Sequence, residues 1–176
     1  LVPQDPEGLI ELLGGEEKFN EKLDQLFSMS SKLDEGASMD ITGLIGQYAH
    51  GNEPSHHTTY MYAYSGEPYK IADNVRYINN ELYTDEPDGL SGNEDCGQMS
   101  AWYIFSSIGF YPVNPSNGAY IFGSPLFDKV EINIPGKKKF QVVAENNNDK
   151  NIYIQSVSLN GCLLYTSPSP RDLRKS

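Results

Sequence analysis

The sequence predicts a mainly helical chain that finishes in a small antiparallel β unit, and three observations carry that prediction. Apolar residues recur at helical spacing through the first two thirds, in runs opened by capping residues or proline and closed by glycine. After Tyr111-Pro112 the period drops toward two, in short β-branched segments set between turn clusters. Strand-like and helix-like segments do not alternate along the chain, which argues against a βαβ protein.

The elements follow in order. Asp5-Pro6 reads as an N-cap with proline at the first helical position, and Gly14-Gly15 ends that helix after Leu13. A second helix carries Phe19, Leu23, Leu26 and Phe27 on one face. Ser55 to Tyr64 is expected to be a helix introduced by Pro54 and closed by Gly66. Glu67-Pro68 starts another, with Ile71, Val75, Ile78 and Leu82 in register. The last helix runs from Gly97 to Ile108, with Gly109 just past its end. Strands are expected at Tyr120–Phe122, Lys129–Ile134, Phe140–Val143 and Asn151–Gln155. Pro135-Gly136 and Asn146-Asn147-Asn148-Asp149 form the punctuation between them.

Composition bounds the function. The 176 residues fit one domain, and 12 Tyr with 7 Phe are enough for a substantial core. No apolar run is long enough to span a bilayer as a helix. A net charge of −11 argues against nucleic acid as a partner, because phosphate contacts need basic patches. Cys96 and Cys162 have neither metal-type spacing nor the count of a disulfide framework. The chain opens at Leu1 directly in a helix-start pattern, so it reads as a fragment whose upstream part is missing. From Cys162 to Ser176 no apolar period is left, and the Ser-Pro-Ser-Pro-Arg run resembles a translated sequencing adapter. The expected division is therefore 1–116 helical, 117–161 β, and 162–176 non-native tail.

Two segments stand out, Gly51-Asn-Glu-Pro-Ser-His-His57 and Gly92-Asn-Glu-Asp-Cys-Gly-Gln98. Each puts Gly-Asn-Glu where a loop meets an aromatic-rich helix, a place where function concentrates. Asn52 and Glu53 offer an oxygen-only donor set of the kind Ca²⁺ takes. They equally suit an N-cap with an acidic first turn. His56 and His57 are adjacent, so on a helix they point about 100° apart and cannot share one small ion. That excludes a helical zinc pair; one of them could instead bond a sugar hydroxyl, or be a buried, satisfied histidine. Glu94 and Asp95 are neighbouring carboxylates ahead of a helix, suited to activating water or to capping.

These residues carry a resemblance. Gly51–His57 followed by Tyr60-Met-Tyr62, and Gly89–Tyr103 running into Gly109-Phe-Tyr-Pro-Val-Asn114, are similar to the signatures of glycoside hydrolase family 92. That likeness covers roughly Leu1 to Gly161, and Val2-Pro3-Gln4-Asp5 resembles the segment following the family's catalytic-acid motif. The resemblance implies a Ca²⁺-dependent, exo-acting, inverting α-mannosidase, and the end of an (α/α)₆ barrel followed by a C-terminal antiparallel β segment. It implies Asp95 as the base that activates water, with Glu94 assisting or binding metal. Asn52 and Glu53 would be Ca²⁺ ligands, and His56, His57 and Asn93 would line the pocket of a mannose-containing glycan. The general acid would lie upstream of Leu1, together with an N-terminal β-domain of the same chain, leaving this piece inactive alone. A periplasmic or cell-surface parent follows from the same resemblance. Other readings are a different (α/α)₆ glycosidase or a Ca²⁺-dependent carbohydrate-binding module.

Overall fold

The computed structural model describes residues 2–33, 36–37 and 41–166. Helix α1 (Pro6–Leu13) begins as its sequence dictates: the Asp5 carboxylate accepts the Gly8 N–H at 3.0 Å, and Pro6 occupies the first turn. Gly14 and Gly15 close it, their N–H groups donating to Glu11 O and Ile10 O. Helix α2 (Glu16–Ser28) buries Phe19 and Leu23, with Leu26 and Phe27 half-buried beside them.

A hairpin not foreseen from the sequence follows, β1 (Leu44–Ile45) with β2 (Tyr48–Ala49). It docks on the end of α2, where Gln47 N–H donates to Leu26 O at 2.7 Å. The segment expected as one α-helix from Ser55 to Tyr64 is instead two 3₁₀ stretches, Glu53–Ser55 and Thr58–Tyr64. Thr58 and Thr59 are β-branched and Tyr60, Tyr62 and Tyr64 aromatic, all weaker α-helix formers, and Thr58 through Tyr62 are all buried, so tertiary packing sets the backbone here. Helix α3 (Tyr69–Glu81) buries Ile71, Ala72, Val75 and Ile78, and helix α4 (Gln98–Ile108) buries Met99 and Trp102. Gly109, at φ 111°, ends α4 by donating to Phe105 O and Ser106 O.

The β part consists of separate two-stranded antiparallel ribbons. β3 (Phe110–Tyr111) pairs with β4 (Ile121–Phe122), β5 (Lys129–Ile134) with β6 (Lys138–Val143), and β7 (Ser156–Leu159) with β8 (Cys162–Thr166). Two expectations are corrected here. Asn151–Gln155 is not a strand, because the Asn148 carboxamide oxygen takes the N–H groups of Lys150 and Asn151 and turns the chain. Strand pairing does not stop at Gly161 either, since Cys162–Thr166 closes a hairpin; 167–176 lie outside the described residues.

One apolar cluster holds the helical part, drawing on α1, α2, α3, α4 and the 3₁₀ segment around Trp102, Tyr60, Tyr62 and Tyr48. Arg76 on α3 ties this core to the β part through Ser124 Oγ, Pro125 O and Asn147 Oδ1. Among the described residues no helix is long and apolar enough to cross a membrane.

Candidate active site

The two Gly-Asn-Glu segments are brought together by backbone, and glycine is what allows it. Gly51 N–H donates to Thr42 O at 3.1 Å, while Thr42 Oγ1 donates to Ser91 O at 2.5 Å. A Cβ on Gly51 would lie 2.0 Å from both Ser91 O and Thr42 Oγ1, and one on Gly92 would lie 2.8 Å from Thr42 Oγ1. The repeated glycine thus serves the crossing of the segments. Thr42 and Ser91, which the sequence did not single out, are the fasteners.

Past the crossing, the chain runs left-handed through Asp95 (φ 48°), Cys96 (φ 58°) and Gly97 (φ 90°) before α4 begins. Asp and Gly tolerate that conformation; Cys96 does so with strain, which surrounding structure must hold in place. The turn presents the exposed Asp95 carboxyl to Glu53 of the other segment. A hydrogen bond with Glu53, and the charge of Glu53, lift Asp95 above the usual carboxylate range. Glu53 and Asp95 are therefore the carboxylate pair that folding brings together. Their partnership crosses the division expected from sequence, which kept Glu53 with Asn52 and Asp95 with Glu94.

The neighbours separate by geometry. Glu94 turns away to cap α4, accepting the Ser100 N–H at 3.1 Å and Ser100 Oγ–H at 2.9 Å. Asn52 and Asn93 are exposed on the same two segments. Among the described residues no group of three or more His, Cys, Asp or Glu forms a metal cluster.

The histidines divide the same way. His56, expected against a sugar, is 1% exposed, with Nε2 at 2.9 Å from His50 O and Nδ1 at 3.2 Å from Gln98 Nε2. Both ring nitrogens are engaged inside the chain, so that expectation is corrected. His57 is half-buried, and its Nε2 has no partner among the described residues. Burial pushes its pKa down to about 4.

His50, unassigned from the sequence, is fully buried under the crossing. Tyr83 Oη–H donates to Met99 O at 3.0 Å, so it accepts the His50 Nε2–H at 2.7 Å, and Nδ1 receives the Tyr48 hydroxyl at 2.9 Å. The signal for it was present: Tyr48 and His50 share one face of an extended segment just ahead of Gly51.

Burial holds His50 neutral, its pKa pushed down to about 3. A depressed histidine contributes stability that is complete above its unfolded value near 6.5 and is lost as pH falls toward the folded value. For His50 the full swing is on the order of 4–5 kcal/mol. Thermal unfolding followed between about pH 7.5 and about pH 4.5 should show the midpoint falling through that window, with His57 adding to the loss. A flat midpoint over the same range would contradict neutral burial of both rings.

A carboxylate pair on two crossing loops, over an aromatic core, is an arrangement that hydrolytic and cation-binding sites can both use. The sequence matches the glycosyl hydrolase family 92 catalytic domain over residues 1–171, and the chain belongs to that family. It is 44% identical to a family GH92 alpha-mannosidase from Bacteroides thetaiotaomicron, covering 93% of this chain and 21% of that one with a TM-score of 0.82. The same enzyme solved in complex with mannoimidazole gives a TM-score of 0.86 at the same identity and coverage. A Family GH92 inverting mannosidase of that organism is 40% identical, over 93% of this chain and 23% of its own, with a TM-score of 0.76. An uncharacterized secreted glycosidase of Arthroderma benhamiae is 34% identical across 91% of this chain and 19% of its length. The chain thus spans about a fifth of each relative, and its helices and short antiparallel strands match the family's structures.

Proposed function

We propose that this chain forms the base-side wall of an exo-acting α-mannosidase that hydrolyses terminal α-linked mannose, typically α-1,2, with inversion. The observation that carries this is the apposition of Asp95 and Glu53 across the two loops. Asp95 takes a proton from the attacking water, and Glu53 sets its basicity by charge and hydrogen bonding. Inversion needs a general acid on the opposite face of the sugar, about 6.5–9.5 Å from the base. That acid is assigned to a part of the protein outside these 176 residues, consistent with a chain about a fifth as long as its relatives. His57, with its unpartnered Nε2, and Asn93 are assigned to mannose hydroxyls. Glu94 acts on this reading as the α4 cap.

The donor chemistry also fits Ca²⁺. Glu53 with Asn52 supplies hard oxygens on an exposed loop, and the repulsion between Glu53 and Asp95 is the kind a divalent cation relieves. Two or three protein oxygens leave most of a shell of six to eight for water and sugar hydroxyls. Bound there, the ion would polarise and orient sugar oxygens at the reacting centre.

The helices are proposed to be the end of an (α/α)₆ barrel completed by the rest of the protein, including an N-terminal β-domain. A mannose-containing glycan is the proposed substrate, and the secreted glycosidase among the relatives supports a periplasmic or cell-surface location. Cys162 to Ser176 is proposed to be adapter-derived. Genomic sequence encoding it without a break, at ordinary read depth, would overturn that.

The test of function is direct. The intact enzyme incubated with α-1,2-mannobiose should release mannose that appears first as the β-anomer by NMR. Chelation should abolish release and Ca²⁺ restore it, while the 176-residue chain alone should release none. First appearance of the α-anomer would sink the inverting assignment.

A further inference from the structure

Three residues after each member of the carboxylate pair, the chain places a polar side chain, and these two meet. His56 N–H donates to Glu53 O at 3.1 Å, and Gln98 N–H donates to Asp95 O at 3.2 Å. Their side chains then bond each other across the crossing at 3.2 Å.

The partners fix which atom donates. A carbonyl only accepts, so His56 Nε2, facing His50 O, must carry the ring proton. Nδ1 is then an acceptor, and the group it faces is the Gln98 amide N–H, which also reaches Tyr111 Oη at 3.4 Å. The imidazole has no freedom to drift. It stacks on His50 with ring centroids 4.6 Å apart, and its own backbone oxygen accepts Trp102 Nε1–H at 3.1 Å. Gln98, the first residue of α4, is thereby anchored to a fixed point of the other segment.

We propose that His56 and Gln98 are a positioning pair, whose hydrogen bond holds the two loop-to-helix junctions so that Asp95 stands against Glu53, with neither side chain touching substrate. The proposal rests on Asp95 being the base. The exposed left-handed turn of Asp95 and Cys96 does not fix a carboxylate by itself; the helix that follows does, through the His56 ring. A misplacement of about 1 Å at a reacting group can cost roughly 10²-fold in rate, so the link belongs to catalysis as well as to folding.

The test uses Gln98→Met in the intact enzyme, a change that keeps length and bulk and removes the donor. The expected result is a kcat loss of about 10- to 100-fold with KM nearly unchanged, since ground-state sugar contacts are untouched. Combining it with His56→Phe should cost no more in kcat than His56→Phe alone, as for two members of one unit. Should His56→Phe fail to fold, ring ¹⁵N spectra of the intact enzyme decide. Wild type should show His56 protonated at Nε2 with Nδ1 shifted as a hydrogen-bond acceptor, and Gln98→Met should keep that tautomer, still set by His50 O, but lose the Nδ1 shift. A wild-type ring protonated at Nδ1 would overturn the pair. So would Gln98→Met at full kcat beside an inactive Asp95→Asn. An active Asp95→Asn would remove the base assignment first, and this inference with it.

Discussion

Asp95→Asn in the intact enzyme should lower kcat by about 10²–10⁴-fold, the range general-base catalysis supplies, while leaving the thermal midpoint equal or slightly higher. The two halves of that expectation have separate causes. A carboxamide cannot accept the proton of the attacking water, so the chemical step loses its base. The backbone, however, keeps its φ of 48°, because Asn enters the left-handed region as readily as Asp. Replacing the charge also removes the repulsion that lifts the Asp95 pKa, and an amide next to Glu53 makes a good donor. Loss of activity with gain of stability is the signature of a functional residue held against its neighbour's charge. Glu94→Gln supplies the contrast. Its oxygens serve Ser100 in the α4 cap, so it should lose roughly 0.5–1 kcal/mol of stability and less than about tenfold in kcat. Steady-state kinetics and differential scanning fluorimetry on the two variants check both. Equal rate losses at the two positions would dissolve the assignment of roles.

Much of this was legible before folding, and the failures are instructive. Caps, glycine stops and apolar stripes mark α1, α2, α3 and α4 because each reports a local condition: an orphan N–H, a left-handed residue, a helix face. The two Gly-Asn-Glu segments were visible for the same reason. What the sequence could not show is that Glu53 partners Asp95 across the crossing, since that follows from Thr42 binding Ser91 across 49 residues. Nor could it show that His56 is fully buried while the adjacent His57 keeps a free nitrogen. Adjacent residues in the turn between the two 3₁₀ stretches differ by which side meets Trp102, and only tertiary packing decides it. The shifted strand at Ser156 fails for a nearer reason, the competition of asparagine side chains with the β ladder.

Gly51→Ala is expected to be strongly destabilising. The added methyl carbon would lie 2.0 Å from Ser91 O and from Thr42 Oγ1, inside contact distance of one backbone atom and one hydroxyl. Thr42 could swing away, but only by giving up its hydrogen bond to Ser91 O. The Ser91 carbonyl cannot, because Ser91 Oγ is itself bonded to Leu82 O and Gly92 is packed on Gly51. Overpacking against backbone with loss of one hydrogen bond amounts to roughly 3 kcal/mol. Removing the Thr42 side chain in a Thr42→Ala, Gly51→Ala double variant should restore little, since the carbonyl clash stays. The segments must then move apart, and with them Glu53 from Asp95. The Asp95 pKa, raised by Glu53 in the wild type, should therefore fall back toward the ordinary carboxylate value in Gly51→Ala. A ¹³C titration of the Asp95 carboxyl, read beside urea unfolding of the same protein, measures both effects. If stability falls while the Asp95 titration stays where it was, the pairing of the carboxylates does not depend on the glycine crossing.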